Sequence, residues 1–257
     1  MSEYSSYSYD YEPRVPRDEI AQAAGLAAGQ ALGTAATVGI SAGIAALGVA
    51  AMGVAALYRA VQDRAQQLEA TRLRAPEAWL GAIQSEPLVR AAVEREMPDL
   101  TRLQTDGGHL ADALPRLQQA IARSRDHLLV AETSVLHGHM TASLAEMGYV
   151  IRQPRRTLTD CVIIHATKTD GTAVSLRLTP KAGKVECDFA GFHGNNCVDE
   201  RVRFEDALRR RGVLLTQQIR QRHGQVAGGA LVAQARSAVS NAAAHSMPTV
   251  IKHRQRV

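Results

Sequence analysis

The residues best suited to chemistry in this chain lie together at 191–197, which read Gly-Phe-His-Gly-Asn-Asn-Cys. We expect Cys197 in the first turn of a helix, where the helix dipole favours the thiolate. His193 lies four residues earlier and is the candidate base that would pair with it. The pattern therefore makes Cys197 with His193 a candidate nucleophilic site. The alternative is a buried cysteine that packs as a small apolar side chain.

The same stretch predicts a sharp turn from a strand into a helix. Gly191 and Gly194 are three residues apart, and glycine adopts the backbone angles that tight turns require. Phe192 between them is predicted to be buried beneath the turn. Asn195 or Asn196 would cap the helix that begins near Cys197.

The candidate metal ligands are three cysteines and one histidine, Cys161, Cys187, Cys197 and His193. Three thiolates and an imidazole suit zinc, but these residues lack the close pairing of zinc sites. The chain also contains no P-loop, no Gly-x-Ser-x-Gly and no His-Glu-x-x-His motif. Glu186 and Asp188 alternate on one strand and are interpreted as solvated charges. We therefore expect a protein without metal, cofactor or enzymatic activity.

Residues 183–212 resemble a small bacterial domain family of unknown function, in which a strand leads through Gly-Phe-x-Gly-x-x-Cys into a helix. Gly191, Phe192, Gly194 and Cys197 match this motif. The resemblance implies the same order of strand, turn and helix, and it implies no catalytic residues.

The segment just before it, up to residue 180, is similar to a companion family that opens with a helix ending in Leu-x-x-x-Gly-Tyr. The two resemblances together cover about residues 144–215. Genes of both families lie beside genes for AAA-type ATPases in bacterial operons. The resemblance therefore implies a partner-dependent role, with an AAA-type ATPase as a possible protein partner.

The elements that would position these residues form an α+β chain. Its N-terminal half is predicted to be mostly helical, and its C-terminal part a three-stranded antiparallel meander flanked by helices. Five segments are expected. Residues 1–17 are predicted to be a disordered Ser/Tyr-rich tail, and residues 18–75 an apolar helix with its stalk. Residues 76–143 form a helical region divided at Pro87 and Pro115. The α+β domain follows at 144–215, and a C-terminal helix with a basic tail at 216–257.

The most distinctive segment is the uncharged stretch from residue 20 to 58. Over 34–57 it is long and apolar enough to predict a transmembrane helix. Glycines recur at four-residue spacing, which places small residues on one helix face and favours close helix–helix contact, as in a glycine zipper. The glycines predicted to make that contact are Gly25, Gly29, Gly33, Gly39 and Gly43. A hairpin of two short helices, or a buried Ala-rich helix in a bundle, is the alternative.

The charge pattern limits the partners. The net charge is +5, and the arginines are spread along the chain, so nucleic acid is an unlikely partner. The first hypothesis is a membrane-inserted, self-associating bacterial protein of a defence or stress system. It would lie in the inner membrane and contact lipid, with its C-terminal domain cytoplasmic. The second is a soluble cytoplasmic adaptor subunit of an AAA-ATPase complex, and the third is a thiol enzyme using Cys197.

Overall fold

The computed structural model describes residues 2–13, 17–26, 53–100, 110–156, 161–193 and 196–222. These residues form an α+β fold in which helices pack against an antiparallel sheet, so the predicted fold class is confirmed at that level.

Six helices occur among the described residues: α1 (Arg17–Ala23), α2 (Val54–Ala70), α3 (Ala75–Gln84), α4 (Pro87–Glu96), α5 (Leu110–Glu146) and α6 (Asn196–Arg210). Pro87 begins α4, where the missing N–H of proline costs no helical hydrogen bond, so the predicted division there is confirmed. Pro115 lies in the second turn of α5 and does not divide it, which corrects the second predicted break.

The sheet contains β1 (Ser2–Pro13), β2 (Val150–Arg156), β3 (Val162–Thr167), β4 (Ala173–Thr179), β5 (Lys184–His193) and β6 (Val213–Arg222). Their order is β2-β3-β4-β5-β1-β6, and every neighbouring pair is antiparallel. The prediction of three strands was therefore wrong, because the meander is extended at both ends.

The largest correction concerns the Ser/Tyr-rich N-terminus. It was predicted to be a disordered tail, but β1 lies between β5 and β6 and pairs with both. Tyr7 and Tyr9 are two residues apart, so they share one face of the strand and are both buried. Tyr7 packs edge-on against Phe189 at 5.8 Å between ring centroids. The alternation of tyrosines in this segment is a strand pattern, although its Ser/Tyr-rich composition resembles that of a disordered tail.

The core lies between the inner face of the sheet and the long helix α5. Alternate residues of β3 are buried, β5 buries a continuous run at residues 187–190, and α5 also packs against α1, α2, α3, α4 and α6. Leu128, Leu136, Met140 and Leu144 of α5 are fully buried at helical spacing. Helix α5 therefore joins the helical half and the sheet into one hydrophobic core.

The predicted transmembrane helix is corrected by the residues at its C-terminal end. Gly53 has an extended backbone, with ψ of 163°, and it is the N-cap at which α2 begins. Val54, Leu57 and Tyr58 are then buried in the protein core. Across the described parts of the chain, no helix combines the length and the apolar character needed to cross a bilayer. The transmembrane assignment and the inner-membrane location are therefore corrected, and residues 27–52 of the predicted span lie outside the described residues.

The glycine zipper can be assessed at one position. Gly25 lies two residues beyond α1 with a φ of +66°, and its N–H bonds the carbonyl of Gln22, so it ends a helix rather than continuing one. Gly29, Gly33, Gly39 and Gly43 lie outside the described residues. Beyond Gly212, residues 213–222 form β6 where a C-terminal helix was predicted from residue 216.

Candidate functional site

The end of β5 at Gly191 meets the loop between β3 and β4. Gly191 has a φ of +82°, a conformation that residues with a side chain rarely adopt. A Cβ atom built there would lie 3.0 Å from the carbonyl oxygen of Gly171 and 3.3 Å from the Cα of Thr172. Both the backbone angle and the close approach therefore require glycine at this position. Gly194, the second glycine of the motif, lies outside the described residues.

The loop that Gly191 touches is fixed by its own side chains. Asp170 Oδ1 accepts hydrogen bonds from the backbone N–H of Thr172 at 2.9 Å and from its hydroxyl at 2.7 Å. These bonds hold the pKa of the Asp170 carboxyl below its usual value. The turn predicted at 169–171 is confirmed, and its Asp-Gly sequence supplies both the acceptor and the positive φ of Gly171.

An open cleft of about 350 Å³, which we call the turn cleft, lies between this loop and the N-terminal part of α6. Its lining brings together residues of β5, α6 and the β3–β4 loop: Lys168, Asp170, Thr172, Gly191, Phe192, His193, Asn196, Asp199, Glu200 and Arg203. Four residues of the Gly-Phe-His-Gly-Asn-Asn-Cys motif lie at this cleft: Gly191, Phe192, His193 and Asn196.

The charges of the turn cleft are centred on Glu200, which is only 6% exposed. Lys168 Nζ donates to Glu200 Oε1, and Arg203 Nη1 donates to Oε2 at 3.2 Å. Lys168 Nζ also lies 4.4 Å from the ring centroid of Tyr149, which is a cation–π distance. A nearly buried carboxylate is therefore matched by two cations, as burial of charge requires.

Sequence reasoning missed these charged residues because they come from separate elements. Lys168 follows β3, whereas Glu200 and Arg203 lie in α6, more than 30 residues away in sequence. The Glu200–Arg203 spacing of three was the available local signal, since such residues are neighbours on a helix. Only the packing of the β3–β4 loop against α6 brings Lys168 to them.

The candidate nucleophile and its candidate base differ in solvent exposure. His193 is exposed at the end of β5, whereas the Cys197 side chain is fully buried in α6. Cys197 does not line the turn cleft. It is placed in the hydrophobic core, as the alternative interpretation of a packing cysteine requires.

The other cysteines do not assemble with Cys197 into a metal site. Cys187 is fully buried on β5, and its burial raises the pKa of the thiol well above its usual value. Cys161 is half-buried just before β3. Over the ranges that the structure covers, no group of three or more His, Cys, Asp or Glu side chains is arranged to hold a metal ion.

A second polar cluster crosses the other face of the sheet. His165 Nδ1 and Ser175 Oγ are 2.8 Å apart, and Ser175 is paired in register with Asp188. Asp188 is 3% exposed, so its interpretation as a solvated charge was wrong. Glu186 is half-exposed and pairs with Arg177 at 3.3 Å. A serine beside a histidine suggests a nucleophile, but Ser175 has no exposed surface through which a substrate could reach it.

Comparison with known proteins does not identify a family for this chain. No protein-family model matches the chain. No curated protein matches it either.

Proposed function

We propose that this chain is a non-enzymatic adaptor that binds a protein partner through the turn cleft, and that the partner is an AAA-type ATPase. The observation that carries the proposal is the cleft itself, in which Glu200 is held by Lys168 and Arg203 on elements fixed by the core. Complementary charges at a protein surface direct association and select partners.

The arrangement of the charges favours recognition over chemistry. Glu200 is engaged by two cations, and Asp170 is engaged by Thr172, so neither carboxylate is poised to take a proton from a substrate. The rim, in contrast, is open to a partner, since Arg203, His193 and Asp199 are exposed. A partner surface with matching charges would meet a preformed site.

Burial of Cys197 disfavours the thiol enzyme. A thiol reacts as an exposed thiolate, and the Cys197 side chain has no exposed surface. The identity of the partner as an AAA-type ATPase rests on the resemblance of residues 144–215 to families encoded beside such enzymes.

Arg203→Glu is the variant that tests this function, and Arg209→Glu is its matched control. Both arginines lie on α6, pair with an acid three residues earlier and have side chains about equally exposed, 66% and 64%. Only Arg203 lines the cleft. The chain and an AAA-type ATPase of the kind encoded beside genes of the two resembled families are purified, and the dissociation constant is measured by calorimetry.

We expect the wild-type chain and Arg209→Glu to bind the ATPase with similar affinity. Arg203→Glu should bind at least roughly tenfold more weakly, because a hydrogen-bonded charge at an interface contributes about 1.5–3 kcal/mol. The proposal fails if the wild-type chain does not bind, or if the two variants weaken binding equally.

A further inference from the structure

A second concave surface lies in the helical half, where α2, α3 and α5 meet. It has two adjoining lobes of about 250 Å³ each, which share Tyr58, Gln62 and Arg125. We call the pair the helical groove. The first lobe is lined further by Trp79, Gln118, Ile121 and Ala122, and the second by Ala55, Arg59, Leu129 and Lys181. None of these residues lines the turn cleft.

The charge of the helical groove has one sign. Arg59, Arg125 and Lys181 are basic, and neither lobe is lined by an acidic side chain. The acid nearest to Arg125 in the structure's ion pairs is its neighbour Asp126, at 3.7 Å and well exposed. Such exposed pairs are weak, so they leave the positive potential of the groove largely in place.

One of the side chains that line both lobes is aromatic, and it is held by a buried hydrogen bond. The Ser124 hydroxyl donates to the carbonyl of Ile121 at 2.9 Å, so the Tyr58 hydroxyl is the donor in its 2.6 Å bond to Ser124. That bond fixes the Tyr58 ring between α2 and α5. Trp79 on α3 is half-buried and adds a second aromatic wall to the first lobe.

We propose that the helical groove binds a phosphorylated ligand with a flat ring, of the nucleotide class. The ring would lie in the first lobe against Trp79, and the phosphates would contact Arg59, Arg125 and Lys181 in the second. Aromatic walls stack on planar rings, and guanidinium groups bind phosphate through paired hydrogen bonds. Each lobe alone is smaller than an ordinary ligand pocket, so the proposed ligand extends over both.

Lys181 gives this ligand a structural consequence. It lies in the 3₁₀ turn Pro180–Ala182 between β4 and β5, whereas the other lining residues lie on helices. A phosphate held by Lys181 and Arg125 together would connect the sheet to the helical half. Binding is therefore expected to raise the melting temperature of the whole chain.

The single tryptophan makes the groove directly observable, because Trp79 is the only one in the chain. The full-length protein is titrated with ADP, with adenosine and with pyrophosphate, and binding is followed by Trp79 fluorescence and by calorimetry. We expect ADP to change the fluorescence and to bind at least roughly tenfold more tightly than adenosine or pyrophosphate, since each of these fills one lobe.

Arg125→Gln should weaken ADP binding roughly tenfold or more, through loss of a charged hydrogen bond to phosphate. Arg90→Gln is the control, because Arg90 is an exposed helix arginine that does not line the groove. Circular dichroism checks that both variants are folded.

Three results would overturn the proposal. ADP could leave both the fluorescence and the calorimetric signal unchanged up to millimolar concentration. Arg125→Gln and Arg90→Gln could bind ADP equally well, which would place the ligand elsewhere. A short single-stranded oligothymidylate could bind where ADP does not, which would replace a small-molecule site by a nucleic-acid surface.

Discussion

The backbone N–H of Val54 donates a hydrogen bond of 3.2 Å to the carboxylate of Glu132, across 78 residues of sequence. Val54 is the first residue of α2, and Glu132 lies 1% exposed in the middle of α5. The side chain of one helix thus satisfies an N–H that the start of the other leaves without a helical partner. This bond holds the start of α2, near the end of the uncharged stretch, against α5 in the protein core.

Glu132 predicts a dependence of stability on pH. Burial raises the pKa of its carboxyl from 4.5 to about 7. Between these values the folded chain holds a proton that the unfolded chain has lost, so the free energy of unfolding falls as pH rises. The total loss is about 3 kcal/mol by linkage, complete somewhat above pH 7. Urea unfolding of the wild-type chain and Glu132→Gln at pH 5, 6, 7 and 8 measures it.

Glu132→Gln keeps an acceptor for Val54 but cannot ionise, so its stability should vary less over this pH range and exceed that of the wild type at pH 8. The exposed Glu94, which pairs with Arg90, supplies the control variant Glu94→Gln. If Glu132→Gln and the wild type show the same slope with pH, the carboxyl of Glu132 does not titrate as described.

Gly191→Ala should destabilise the chain by roughly 1–2 kcal/mol from the left-handed backbone alone. The contact of the new Cβ with the backbone of Gly171 and Thr172 adds to that loss. Gly138→Ala is the matched control, because Gly138 lies within α5 and its added Cβ would meet nothing within 4 Å. Replacing a helical glycine by alanine should stabilise by roughly 0.5–1 kcal/mol. Opposite shifts in the urea midpoint are expected, and shifts of the same sign would contradict the account.

Tyr9→Phe tests whether β1 is held by α6. The Tyr9 hydroxyl donates to Glu205 Oε1 at 2.8 Å, and Arg201 Nη1 donates to the same oxygen at 2.8 Å. Loss of the hydroxyl should lower the free energy of unfolding by about 1.5–3 kcal/mol, as for a hydrogen bond to a charged group. A double-mutant cycle with Glu205→Gln measures the coupling. A coupling energy near zero would mean that this bond does not secure the strand.

The three thiols are expected to react in an order set by burial. Labelling of the native chain with a bulky aromatic disulfide at pH 8 should show one fast phase, from the half-buried Cys161. Cys187 and Cys197, which are fully buried, should react only as the chain opens. Cys161→Ser should remove the fast phase. A fast phase that instead disappears in Cys197→Ser would restore the thiol-enzyme hypothesis.

Local pattern in the sequence was enough for several elements. Helical spacing of apolar residues predicted α5, and Gly148, with a φ of +84°, ends it as predicted. The alternation of β3 and the Asp170-Gly171 turn followed from two-residue periodicity and turn chemistry. These features depend on residues within a few positions of each other, which is why the sequence alone determined them.

Contacts between distant segments decided the rest. The residues around Tyr7 and Tyr9 carry no information about β5 and β6, the two strands between which β1 pairs. The segment therefore resembles a polar tail when its partner strands are not known. Likewise, Lys168 meets Glu200, and Val54 meets Glu132, only when separate elements pack. Hydropathy reports how strongly a segment prefers an apolar environment to water. It does not tell whether that environment is lipid or a protein core, and here a protein core buries Leu57 and Tyr58. Helix α5, strand β3 and the turn after it were therefore set by the sequence locally, whereas strands β1 and β6, the sheet order, the two candidate sites and the surroundings of α2 were set by tertiary packing.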